Sequence, residues 1–177
     1  LLLGSFLNVV VYRLPKMMER HWAAECAQLN GATTEEPAPF NLNTPRSHCQ
    51  QCKHQIRWFE NIPLVSYLFL RGKCSSCSTP ISLRYPLVEL ATGALFFVCI
   101  WRWGMTPTGW AWSGFSAALL TLALIDWDTT LLPDDITLPL LCAGLVAAAL
   151  QWTSVLFSSA FRWAVAGYLL LWSGYWI

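Results

Sequence analysis

The sequence predicts an all-α polytopic membrane protein that carries a small cytoplasmic domain built on four cysteines. Three observations lead there. Hydrophobic residues make up 55% of the 177 and charged ones 12%, about half the charge of an ordinary soluble domain. Three stretches, 103–125, 136–161 and 163–177, hold no charged residue at all. Nine of the eleven basic residues lie between Arg13 and Arg84, so the positive charge is gathered into one block. The formal net charge is only +1 and the mean hydropathy is +0.44. No global polycation is present, and nucleic acid is excluded as a partner. Eleven Trp and nine Phe suit a chain that meets membrane interfaces.

The elements follow in order. Leu1–Tyr12 is uncharged but too short to span, and it reads as the end of a first transmembrane helix whose start is missing. It is not a signal peptide, because no basic residues precede it and no small-residue cleavage site follows. Residues 13–84 read as a cytoplasmic domain and 85–177 as transmembrane helices near 86–101, 107–126, 136–153 and 162–177. About 20 apolar residues cross a hydrocarbon core of about 30 Å, which fits these lengths. The last helix is still apolar at Ile177, so the chain is expected to be incomplete at its C-terminus. The positive-inside rule puts the basic block in the cytoplasm. Alternation then puts 102–107 outside, 127–135 inside and 153–161 outside, in a multi-pass protein set in the lipid bilayer.

Four of the seven cysteines have a pattern, Cys49-Gln-Gln-Cys52 and Cys74-Ser-Ser-Cys77. A CxxC turn aims two sulfurs at one point, and two such turns supply a tetrahedron for Zn2+ with Zn–S near 2.3 Å. A reducing cytosol favours thiolate–metal bonding over disulfides. With all four positions filled, the zinc is structural. It would hold a module whose apolar residues (Ile56, Trp58, Phe59, Ile62, Leu64) hardly suffice to fold it. Disulfide pairing or redox chemistry at CxxC is the competing reading. His48 and His54 flank the first turn as alternative ligands or as solvated loop residues. Cys26, Cys99 and Cys142 have no partner spacing. Gly31–Asn43 reads as an exposed loop.

The segment Leu124-Ile-Asp-Trp-Asp-Thr-Thr-Leu-Leu-Pro-Asp-Asp-Ile136 concentrates four acids in ten residues. Asp126 follows 23 uncharged residues and belongs at the lipid boundary, where a carboxylate is costly and is a functional candidate. Asp134 or Asp135 is expected to cap the next helix, and Asp128 to lie in the exposed loop. A plain interfacial acid is the bland alternative for Asp126. If Asp126 is catalytic, a pair of aspartates sharing a proton fits best. Asp126 and Asp128 point apart on a helix, so the mate is expected from another helix. Glu89 is the remaining membrane-edge acid.

These residues resemble the prepilin peptidases of type IV pili and type II secretion. The matching stretches are GSFLNVVVYRLP (Gly4–Pro15), the two CxxC pairs, ENIPLVSYL (Glu60–Leu68), RGKCSSC (Arg71–Cys77), RYPLVEL (Arg84–Leu90) and LIDWDTTLLPD (Leu124–Asp134). The resemblance implies a bifunctional enzyme of the bacterial inner membrane. Such an enzyme is an aspartic endopeptidase that removes the leader of prepilins and pseudopilins on the cytoplasmic side. It then N-methylates the new N-terminal residue with S-adenosyl-L-methionine. The first aspartate of the family falls on Asp126, and the cysteines implicated in zinc fall on Cys49, Cys52, Cys74 and Cys77. The second aspartate belongs to a Gly-x-Gly-Asp motif further along, so the chain is expected to be a fragment that does not cleave alone. Asp128, Asp134 and Glu89 are expected to attract the basic leader. The donor site is not readable from the residues, and Glu89 is a weak candidate, with a helix-start acid as its plain reading. A non-enzymatic, zinc-stapled membrane scaffold is the alternative function.

Overall fold

The computed structural model describes residues 1–30, 40–49, 51–56 and 64–175, and among them it is helical, with no strand beyond two isolated bridges. Six helices follow in order: α1 (Leu2–Leu29), α2 (Val65–Phe69), α3 (Arg84–Trp103), α4 (Pro107–Thr129), α5 (Asp134–Ala149) and α6 (Phe157–Tyr175). The expected zinc-module residues Trp58, Phe59 and Ile62 lie outside the described residues, as does most of the Gly31–Asn43 loop.

Residues 1–95 and 123–131 form one compact unit, and residues 96–122 and 132–177 form another. The first is built on α1. This helix does not end near Tyr12 but runs on to Leu29, with Pro15 inside it. Proline removes a single N–H and its ring crowds the preceding turn. The residues beyond it (Lys16, Met17, Met18, Glu19, Arg20) are good helix formers, and His21 reaches Glu25 at 3.5 Å one turn on. The buried face of α1 carries Gly4, Val10, Val11, Arg13, Leu14 and Pro15. Gly4 allows a close crossing, since a Cβ there would stand 2.7 Å from the Glu89 Cα in α3. Asn8 Nδ2 donates to the Tyr85 carbonyl at 3.1 Å, which joins the two helices by a second contact.

Arg13 is buried, and its guanidinium donates to the carbonyls of Asn41 (2.9 Å), Leu42 (3.3 Å) and Pro45 (2.6 Å). The Phe40 ring lies 5.8 Å from Arg13 Cζ and 4.2 Å from Arg20 Cζ. A buried cation must be compensated, and here backbone dipoles and an aromatic face do it. The contact ties the segment before the first CxxC turn to α1.

In the second unit the end of α3 and the start of α4 are joined at Gly104, whose φ of +69° is the left-handed conformation that ends a helix. Thr106 Oγ1 accepts from the Gly109 N–H at 3.3 Å and caps α4, with Pro107 in the first helical position. Trp103 stacks on Trp112 with centroids 5.6 Å apart, and Phe115 meets Trp112 edge-on. Helix α5 begins two residues earlier than expected, with Asp134 and Asp135 in its first turn. Its N-cap is Pro133, so neither acid caps it by a side-chain bond; both instead favour the positive helix end. It stops at Ala149, short of the expected Thr153, where Gln151 turns to a φ of +56°.

Among the described residues, two helices, Arg84–Trp103 and Pro107–Thr129, are long and apolar enough to cross a membrane. At 16 residues α5 rises about 24 Å, less than a hydrocarbon core.

Candidate active site and metal centre

Helix α4 carries 23 residues, from Pro107 to Thr129, and Asp126 and Asp128 both lie in its last turn. Asp128 is therefore not in a loop. The helix persists because the Asp126 carbonyl still accepts the Thr130 N–H at 2.8 Å, and Thr130 takes the left-handed φ of +54° just beyond. Two residues on a helix lie about 200° apart, so the two carboxylates face different ways.

Their surroundings differ accordingly. Asp128 forms a two-pronged ion pair with Arg84: Nη1 to Oδ1 at 2.7 Å and Nη2 to Oδ2 at 2.7 Å. Arg84 Nη2 also lies 3.5 Å from the Leu124 carbonyl. Each charge alone sits at the wrong pole of its helix, an anion at a C-terminus and a cation at an N-terminus. Pairing them across the two helices offsets both penalties. Asp126 is exposed, and among the described residues its carboxylate accepts no hydrogen bond and enters no ion pair. Its neighbour Ile125 is wholly buried and anchors the turn. The expected division of labour is thus corrected for Asp128. Its charge is neutralised within the protein rather than offered to a basic leader.

Glu89 is also removed from that role, because it is 7% exposed. Its Oε2 accepts the Leu64 N–H at 2.9 Å, a bond that holds the start of α2 against α3. Asp134 and Asp135 are exposed on the first turn of α5.

The four patterned cysteines converge. Sγ atoms of Cys49, Cys52, Cys74 and Cys77 all lie within 4.8 Å of one another, with Cys49 to Cys77 at 3.7 Å and Cys52 to Cys74 at 4.0 Å. A tetrahedron with metal–sulfur bonds of about 2.3 Å has edges of about 3.8 Å, so the donor set fits zinc in kind and spacing. All seven cysteines are free thiols.

The local fold that aims them is written twice. Cys49 N–H donates to His54 O, Lys53 N–H to Cys49 O and Ile56 N–H to Ser47 O; Cys74 N–H donates to Thr79 O, Ser78 N–H to Cys74 O and Ile81 N–H to Gly72 O. Lys53 and Ser78 take φ values of +59° and +57° at matching positions, and the bridges His48–Gln55 and Lys73–Pro80 match too. Every member of the second set stands 25 residues after its counterpart.

The thiols are held unequally. Thr79 Oγ1 and then the Thr79 N–H pull Cys77 down to about 6. The N–H groups of Cys52 and Gln51 lower Cys49. The His54 N–H would lower Cys52 too, but desolvation and the three other thiols outweigh it and push Cys52 up to about 11. Thiolate character is what a metal ligand needs. His48 Nδ1 lies 3.0 Å from the Arg46 carbonyl, and neither histidine belongs to the sulfur cluster.

Sequence reasoning missed the Arg84–Asp128 pair and the Arg13 contacts, which join residues 44 and 28 to 32 positions apart. The signals were present in kind: an Arg at a span edge opposite an Asp at another, and an Arg within the run Val9–Leu14.

Residues 1–103 match the bacterial peptidase A24 N-terminal domain, and residues 113–177 match the type IV leader peptidase family. A prepilin leader peptidase/N-methyltransferase of Pseudomonas aeruginosa is 52% identical over the whole of this chain and 61% of its own length. Proteins of the same name from Burkholderia pseudomallei (48% identical, 100% of this chain, 58% of the relative) and Neisseria gonorrhoeae (49%, 97% and 60%) are similar. The chain spans about 60% of the length of these curated relatives. No solved structure matches it. With more than half of its residues matched by one domain of the family and most of the rest by another, the chain belongs to the type IV leader peptidases, the bacterial A24 peptidases.

Proposed function

We propose that the protein carries the first catalytic aspartate of a membrane aspartic endopeptidase that removes the leader of prepilins and pseudopilins at the cytoplasmic face of the inner membrane, and that it takes part in N-methylation of the new terminus with S-adenosylmethionine. The observation that carries the reading is the state of Asp126, an exposed carboxylate that among the described residues has no ion pair or hydrogen bond, at the end of a membrane-capable helix. Asp128, two residues on, is neutralised by Arg84. Of the two acids on this turn, Asp126 is the one not already engaged by a cation.

In such a mechanism one carboxylate takes a proton from water while its mate protonates the leaving amine. Asp126 fills one of these roles. The mate belongs to a Gly-x-Gly-Asp segment in the family this chain resembles, and residues 1–177 contain no such segment. Exposed apolar side chains on α3 and α4, such as Phe97, Trp101, Trp110 and Leu119, face lipid in this reading. A prepilin helix lying in the same bilayer would bring its cytoplasmic leader junction to the level of Asp126. Cys49, Cys52, Cys74 and Cys77 hold a zinc ion that closes the two CxxC turns and leaves no open ligand position.

The test is complementation of a strain that lacks its own prepilin peptidase with a full-length gene in which these 177 residues are joined to a Gly-x-Gly-Asp segment. Unaltered Asp126 should restore prepilin processing on immunoblots. Asp126→Asn should lower it by at least about a thousandfold, the scale at which loss of a proton-transfer group is felt. Processing at the normal rate by Asp126→Asn, in a membrane-inserted protein, would refute the assignment. A zinc-stapled scaffold would be indifferent to that change.

A further inference from the structure

Glu89 presents a problem that the peptidase chemistry does not solve. Its side chain lies in the second turn of α3, beyond the first turn in which a helix dipole favours an anion. It is 93% buried. Among the described residues it receives one hydrogen bond, from the Leu64 N–H, and no cation. A carboxylate has about four acceptor sites, and an uncompensated buried charge is costly.

The same carboxylate borders a half-open cavity of about 530 Å³ in the first unit, within the usual size range of small-molecule sites. Tyr67, Tyr85, Asn8 and Ser82 also line it. The cation that shares the lining, Arg13, is committed to three backbone carbonyls and not to Glu89. The cavity thus offers a buried negative charge, aromatic rings suited to a soft cation, and neutral hydrogen-bonding groups.

We propose that this cavity binds an organic cation with Glu89 as its counter-charge, and that the cation is the sulfonium methyl donor of the N-methylation step. The assignment rests on the methyl-transfer half of the reading above and is independent of Asp126. A peptide α-ammonium would meet the same carboxylate by the same chemistry, so the experiment must separate the two.

Equilibrium dialysis of the detergent-solubilised, zinc-replete protein does so. The probes are S-adenosylmethionine, its neutral thioether S-adenosylhomocysteine, and a phenylalanyl peptide with a free or an acetylated N-terminus. The protein should bind the sulfonium at least about tenfold more tightly than the thioether, the step expected of one charge-assisted contact. In Glu89→Gln, whose amide oxygen can still accept the Leu64 N–H, that preference should fall to about one. Equal binding of sulfonium and thioether by the unaltered protein would overturn the proposal without recourse to any variant. So would a preference that survives in Glu89→Gln. Binding of the free-amino peptide but not the donor would overturn the donor assignment. A full-length protein, Gly-x-Gly-Asp segment included, that prefers the sulfonium yet processes no prepilin would sink the peptidase reading alone, whereas normal processing with no cation preference would sink the cavity assignment alone.

Discussion

Two aspartates on one helical turn have opposite fates because Arg84 reaches only one of them. The Arg84–Asp128 pair is 40% and 30% exposed, so screening holds its worth to about 0.5–1 kcal/mol. A double-mutant cycle on Arg84→Ala and Asp128→Ala, read by thermal melting in detergent, should return a coupling of that size; zero coupling would mean that the pair does not form in the membrane protein. The candidate catalytic residue was legible in the sequence because 23 uncharged residues end abruptly at Asp126. The partner of Asp128 was not. An ion pair between residues 44 positions apart follows from how α3 and α4 come together at that level, and no local periodicity encodes it. Glu89 was ambiguous for a related reason. From the sequence it stood near a helix start, and only its burial and its single bond to Leu64 separate it from an ordinary first-turn acid.

The elements were more readable than their ends. Uncharged runs locate α3, α4 and α5 to within about four residues, because apolar segments exclude charge, whereas α6 starts at Phe157 rather than at the expected 162, with Arg162 carried inside the helix instead of marking its start. Helix α1 overran its expected end, since one proline removes one hydrogen bond and the helix formers beyond it make good the loss. The two CxxC turns were legible as a pair because their chemistry is local: a reverse turn, a positive φ and two sulfurs. Removing the metal tests them as elements. Chelation should release one zinc per chain and lower the melting temperature, with recovery on adding zinc. Cys74→Ser should cut zinc content sharply while leaving α3 and α4 helical by circular dichroism. A chain that binds no zinc before chelation would contradict the four-thiolate site.

At the scale of the whole molecule, the basic block predicts sidedness. Arg13, Lys16, Arg20 and Arg84 belong on the cytoplasmic face, and the Gly104–Thr106 turn on the opposite one. A cysteine placed at Thr106 should react with a membrane-impermeant maleimide in intact spheroplasts, and Cys26 only after lysis. The reverse pattern would invert the topology and remove Asp126 from the cytosol. Composition pointed to long apolar helices, and among the described residues two are long and apolar enough to cross a membrane, but it carried no record of the cavity beside Glu89. That half-open space is lined by residues from Ser5 to Glu89, drawn together by Gly4, Asn8 and Leu64.

The repeated turns have a geometric corollary. An offset of 25 residues carries Cys49 onto Cys74 and Cys52 onto Cys77, and the short cross-distances, Cys49 to Cys77 and Cys52 to Cys74, are images of each other. The site is therefore close to a dyad, with each half able to stand in for the other. A chain stripped of Cys74 and Cys77 would keep two of the four sulfur donors, half of a tetrahedral set. Damage to one turn would then turn a closed structural site into one with open coordination positions.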